Sequence, residues 1–158
     1  MRSNQRAFTV LLTVSVTAMA ASVLPPFSNL IVLAANNMWP YPGPDIQFDY
    51  FIGGLMGLLC GALILIGPFE PSTRPTVLLC WAVKLASALF LVPVYEYAYG
   101  MDIDGYFFFD EKPVNPHNLE FASGTWNVRL LTWMLFKIIG PSFHGGKVLF
   151  TFIGFLGI

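Results

Sequence analysis

Charged residues are scarce in this chain: of 158 residues, only 11% are Asp, Glu, Lys or Arg. A soluble domain carries about 25%, so little of this surface needs to face water. The formal net charge is −1. With no basic excess, the sequence carries neither a nucleic-acid footprint nor a polybasic lipid-binding surface. Cysteine is nearly absent. Cys60 and Cys80 each sit in an apolar run and read as small buried hydrophobes. Two thiols and two distant histidines, His117 and His144, are too few soft ligands for a structural metal site. The sequence has no Asn-x-Ser/Thr sequon, no internal repeat and no low-complexity tail.

What is abundant is apolar. Hydrophobic residues make up 56% of the chain and aromatics 16%, with 15 phenylalanines. They fall into runs long enough to cross a bilayer, where about 20 apolar residues span the hydrocarbon core. The expected fold class is all-α: a polytopic transmembrane helix bundle of about four spans plus a short interfacial helix, with residues 1–158 forming one transmembrane domain.

The first apolar run starts after Arg2 and Arg6 and covers 7–24, or 7–35 if it continues through Pro25-Pro26. A cleaved signal peptide competes with a retained span here. The run is longer than a signal needs, so a retained helix ended or kinked at the proline pair is the reading adopted. Trp39-Pro40-Tyr41-Pro42-Gly43-Pro44 is an interfacial loop anchored by its aromatics. The second span is 50–66. Its Gly53, Gly57 and Gly61 recur every fourth residue and put three small side chains on one packing face. After a Pro-rich polar turn, the third span covers 76–95. It contains Lys84, a charge that must snorkel, pair or face a polar cavity.

Residues 96–126 are different in kind. Six acids and one base, Lys112, give this loop a net charge of −5. A short apolar helix over 127–139 follows. Its Arg129, Thr132 and Lys137 do not share one face. A last run, 145–158, is too short for a full crossing, and the expectation is that the sequence is the N-terminal part of something longer. The Lys/Arg bias places the N-terminus and the turn with Arg74 in the cytoplasm, and the acidic loop outside.

Asp102 and Asp104, flanked by Gly100 and Gly105, are the best candidates for chemistry. Two carboxylates at i and i+2 can converge on a hard divalent cation such as Mg²⁺ or Mn²⁺. They can also divide into a raised-pKa acid and a base. The competing reading is an Asx-type turn with solvated acids. Gly140 to Lys147 superficially suggests a phosphate loop, but the spacing is one residue too long and Val148 replaces the required Ser/Thr. No Ser-His-Asp arrangement is evident from the sequence.

With its outer acidic pair, its Ala122-Ser123-Gly124-Thr125-Trp126 stretch and the Gly/aromatic segments around Gly145-Gly146-Lys147 and Gly154-Phe155-Leu156-Gly157, the chain resembles bacterial envelope proteins that handle lipid-linked sugars: GT-C-type glycosyltransferases and O-antigen-polymerase-like proteins. The likeness covers about 99–158. It implies the bacterial inner membrane and glycosyl transfer from a polyprenyl-linked donor at the outer face. Asp102 and Asp104 are then catalytic and metal-binding, and Lys84, Arg129 and Lys137 meet the donor pyrophosphate. In the usual GT-C pattern the acidic loop follows the first span, whereas here it follows the third. The alternatives are a non-catalytic subunit that packs on a partner through Gly53, Gly57 and Gly61, and part of a transporter. In every case the lipid bilayer is a partner and nucleic acid is not.

Overall fold

The computed structural model describes residues 2–25, 28–29, 45–91, 108–109, 112–113 and 126–157. Among the described residues, five α-helices carry the architecture: α1 (Arg2–Ala21), α2 (Ile46–Ile66), α3 (Arg74–Ala86), α4 (Trp126–Ile139) and α5 (Phe143–Leu156). A π-helical turn, Ser87–Leu91, extends α3 without a break. One departure from an all-helical chain lies within the expected acidic loop. Phe108–Phe109 (β1) and Lys112–Pro113 (β2) pair antiparallel over two residues each.

Among the described residues, two helical segments are long and apolar enough to cross a membrane: α2, with 21 residues, and α3 with its π turn, with 18. Although α1 has 20 residues, it is not among them, because Asn4, Gln5, Arg6, Thr9, Thr13, Ser15 and Thr17 dilute its apolar run. It stops at Ala21, ahead of the proline pair, and is followed by a turn over 22–25. With 14 residues, α5 is apolar but shorter than a crossing. The full set of four spans therefore remains an expectation.

The termini of the helices follow from local chemistry. Asp45 caps α2 by accepting from the backbone N–H of Gln47 and Phe48 at 2.9 and 3.1 Å, satisfying donors that have no intrahelical partner. Pro75 occupies the first turn of α3, where its missing N–H costs nothing. Arg74 folds back onto the carbonyls of Phe69 and Gly67 at 2.9 and 3.4 Å and closes the turn between α2 and α3. Gly157 ends α5 in the left-handed region, at φ 77°, a conformation that glycine adopts without a Cβ penalty.

The glycines of α2 set how the bundle packs. A Cβ on Gly57 would stand 2.5 Å from Leu85 Cδ2, one on Gly53 would stand 2.9 Å from His144 Cβ, and one on Gly61 would strike Leu11. On the same helix, Gly54 faces Met19 and Ser15. The glycine face is therefore filled from within the chain, by α1, α3 and α5. As α2 is followed from Gly61 to Gly54, its neighbour on α1 changes from Leu11 to Met19, so α1 and α2 are antiparallel. Going from Gly57 to Gly53, the α3 partner changes from Leu85 to Leu89, so α2 and α3 are also antiparallel. Because His144 and Gly145 meet Gly53 and Ile52, α5 starts beside the start of α2.

One end of the bundle thus holds the start of α1, with Arg6, and the turn with Arg74. The other end holds Asp49, Leu89 and the start of α5. Between them lies an apolar core of Leu11, Tyr50, Ile64, Leu78, Trp81, Leu85 and Val148. Trp81 donates its indole N–H to the Gly57 carbonyl at 3.0 Å and meets Phe152 edge-on at 4.9 Å. Cys60 is buried, as its apolar context suggests, but Cys80 is exposed, because it lies on the face of α3 turned away from α2.

Candidate functional site

The most concentrated polar chemistry in the described residues lies where α2 and α5 begin. Asp49 sits one turn into α2, four residues after its cap, and is 5% exposed. Ser142 caps α5 from extended backbone and accepts from the Gly145 N–H at 3.0 Å. The Ser142 hydroxyl in turn donates to Asp49 Oδ1. Asp49 Oδ2 accepts from the His144 backbone N–H at 3.1 Å and from the His144 ring at Nδ1, 2.7 Å away.

The carboxylate thus occupies the N-terminus of a helix other than its own. Two effects hold it there. Free backbone donors and the positive end of the α5 dipole both favour an anion at this place. The imidazole, with its Nδ1–H aimed at Oδ2, adds a charge-assisted hydrogen bond. A buried carboxylate is costly unless it is hydrogen-bonded in this way.

Aromatic rings wall the cluster. The Tyr50 ring meets the His144 ring edge-on at 5.1 Å, and Phe143 meets it at 5.3 Å. The Tyr50 phenol donates to the Leu89 carbonyl, inside the π-helical turn. Lys147, one turn after His144, is buried, with its Nζ 5.3 Å from the centre of the Phe143 ring.

Although Ser, His and Asp are all present, the geometry is not that of a nucleophilic triad. There the histidine takes the serine's proton while the aspartate orients the histidine. Here the serine hydroxyl donates directly to the aspartate and its oxygen caps a helix, so nothing activates it as a nucleophile. Nor does the pair amount to a metal site: among the described residues, no group of three or more His, Cys, Asp or Glu side chains converges. The arrangement locks two helices together.

The residues expected from sequence fall elsewhere. Asp102 and Asp104, and with them the expected Mg²⁺ or Mn²⁺ site, lie outside the described residues. Lys84 is exposed on α3, and its Nζ stands 5.9 Å from the centre of the Phe155 ring. Arg129 is half-buried on α4, and Lys137 is exposed two turns further along, with its Nζ 5.6 Å from the Trp133 ring. Gly53 touches the cluster, through His144.

The sequence pattern singles out neither Asp49 nor His144, the latter being distant from the other histidine and from both cysteines. One signal was present. Ser142-x-His144 follows Gly140-Pro141 at the start of an apolar run, which is an N-cap pattern, and a lone acid at the start of a span needs a partner. No protein-family model, no curated protein and no solved structure matches this chain.

Proposed function

We propose that this chain is an integral membrane protein with several spans. The observation that carries the reading is the apolar outward face of its helices, with the buried polar groups gathered inside. Large apolar residues face outward on α2 and α3, among them Phe48, Leu59, Leu63, Ile66, Val83 and Leu91, with Ile66 80% exposed. Inside are Ser15, Asp49, Thr132, Ser142, His144 and Lys147, all buried. In water, so broad an outward apolar surface is an aggregation liability. In lipid it is the expected exterior, while polar groups turn inward to one another. The end of the bundle with Arg6 and Arg74 is then cytoplasmic by the positive-inside rule, and the Asp49–His144 end is external.

Within that reading, the activity we propose is cell-envelope polysaccharide assembly in a bacterial inner membrane: glycosyl transfer from a polyprenyl-linked donor at the outer face. What supports it is the acidic pair Asp102 and Asp104 between two glycines, in the acidic stretch that follows Leu91 in sequence. The pair would hold a divalent cation or divide acid and base roles, with Arg129 and Lys137 meeting the donor pyrophosphate. Asp102→Ala and Asp104→Ala should each abolish polymer production while the protein still accumulates in the membrane. Normal polymer from both variants would refute the activity. Release of the wild-type chain from membranes by alkaline carbonate would refute the membrane reading itself.

A second reading, a non-catalytic membrane subunit, is favoured by one observation. The polar cluster of the described core is spent on joining helices, with Ser142 and His144 both committed to Asp49.

A further inference from the structure

We propose that Lys84 marks a docking face for a partner membrane helix carrying an Asp or Glu at mid-depth. This rests on reading α3 as a membrane span. Lys84 lies ten residues from Arg74 and seven from Leu91 in a continuous segment, or about 15 Å and about 10 Å from its two ends by the helical rise. It is exposed on the outward face of α3, beside Cys80, Val83 and Leu91.

Snorkelling works against the geometry. A helical side chain leans toward the N-terminus of its helix, and for Lys84 that is the more distant end. The Phe155 ring is its contact on α5. A ring face at that distance attracts a cation but does not neutralise it. An intramembrane lysine placed this way needs an anion at its own depth.

Three anion sources can be separated. Lipid phosphates, including that of a polyprenyl donor, lie at the ends of the span, so Lys84 belongs with a partner rather than with the donor-binding cations. This chain and a second copy of it offer one acid in their described helices, Asp49, and that carboxylate is already bound at the start of α2 by Ser142 and His144. A carboxylate on another protein's span remains, and charge complementarity commits the face to it.

The test places a photo-crosslinking residue at Val83, beside Lys84, in the full chain in its native membranes. The expected product is an adduct whose peptide, sequenced by mass spectrometry, is a membrane span of a different protein bearing Asp or Glu. Lys84→Met should lower the yield about tenfold, and Lys84→Arg, which keeps the charge, should hold it within about twofold. Lys84→Glu combined with the partner's acid changed to Lys should restore it. Adducts only to lipid, only to a second copy, or unchanged by Lys84→Met overturn the inference. A chain that resists carbonate extraction yet gives no adduct overturns it while leaving the membrane reading intact.

Discussion

Replacing Asp49 with alanine should loosen the whole bundle, and the size of the effect follows from what the carboxylate holds. Three donors converge on it: the Ser142 hydroxyl, the His144 backbone N–H and the His144 ring at 2.7 Å. Removing this acceptor leaves buried donors desolvated and unpaired at about 1–3 kcal/mol each, for a total of about 3–5 kcal/mol. Asp49→Asn keeps the volume and one acceptor, so its cost should be smaller, about 1–3 kcal/mol. The chain supplies its own reporter. Cys60 is buried in the core and Cys80 is exposed, so in a Cys80→Ser background the rate of maleimide labelling at Cys60 reads the population of opened bundle. A loss of 3–5 kcal/mol corresponds to labelling faster by a factor of about 10² to about 4 × 10³. In a double-mutant cycle, Asp49→Ala and His144→Ala should be strongly non-additive, since each removes the same contact. A change below about threefold in Asp49→Ala, where each 1.4 kcal/mol is a factor of about ten, would refute the view that the cluster fastens α5 to α2.

Two further outcomes follow from the same packing. Gly57→Ala should destabilise the bundle by about 1–3 kcal/mol, since its Cβ would stand 2.5 and 2.7 Å from the Leu85 methyls, whereas Gly154→Ala, with nothing within 4 Å, should stabilise α5 by about 0.5–1 kcal/mol; thermal unfolding in detergent checks both. Ser142→Ala should cost about 1–2 kcal/mol, through the lost cap and the lost donation to Asp49, and the Cys60 labelling rate should then fall between those of wild type and Asp49→Ala.

How much of this was legible in the sequence depends on the distance over which each feature is encoded. The helices are local features. The apolar runs and their Gly/Pro punctuation locate α2, α3, α4 and α5 to within a few residues, because both a helix and the turn that ends it are decided by neighbours in sequence. One shift, at the start of α2, bears on the site. The expectation began at Tyr50, whereas the helix begins at Ile46, because Asp45 caps it and admits Asp49 into its first turn. Asp49 lies just outside the expected span of 50–66, where nothing in the sequence marks it as buried.

The cluster itself is nonlocal, and that is the physical reason it was missed. Asp49 and His144 are separated by 95 positions, and no periodicity links them. What joins them is the glycine face of α2. Gly53 leaves room for the His144 Cβ, Gly57 for Leu85 and Gly61 for Leu11, so α5, α3 and α1 each approach α2 at a different height. The ladder at i, i+4 and i+8 announces close approach, but it does not say which helix approaches or whether that helix belongs to the same chain. Once α5 is placed at the Gly53 level, the start of α5 falls beside the start of α2. The acid in one first turn then meets the His144 N–H at the start of the other helix. A carboxylate at a helix N-terminus is favourable wherever the chain supplies it, so the close packing at Gly53 and the polar lock at Asp49 are one arrangement. It follows that a bulky residue at Gly53 should weaken the Asp49–His144 bond without touching either residue. A coupling energy near zero between Gly53→Val and Asp49→Ala, in the same Cys60 labelling assay, would show the two to be independent.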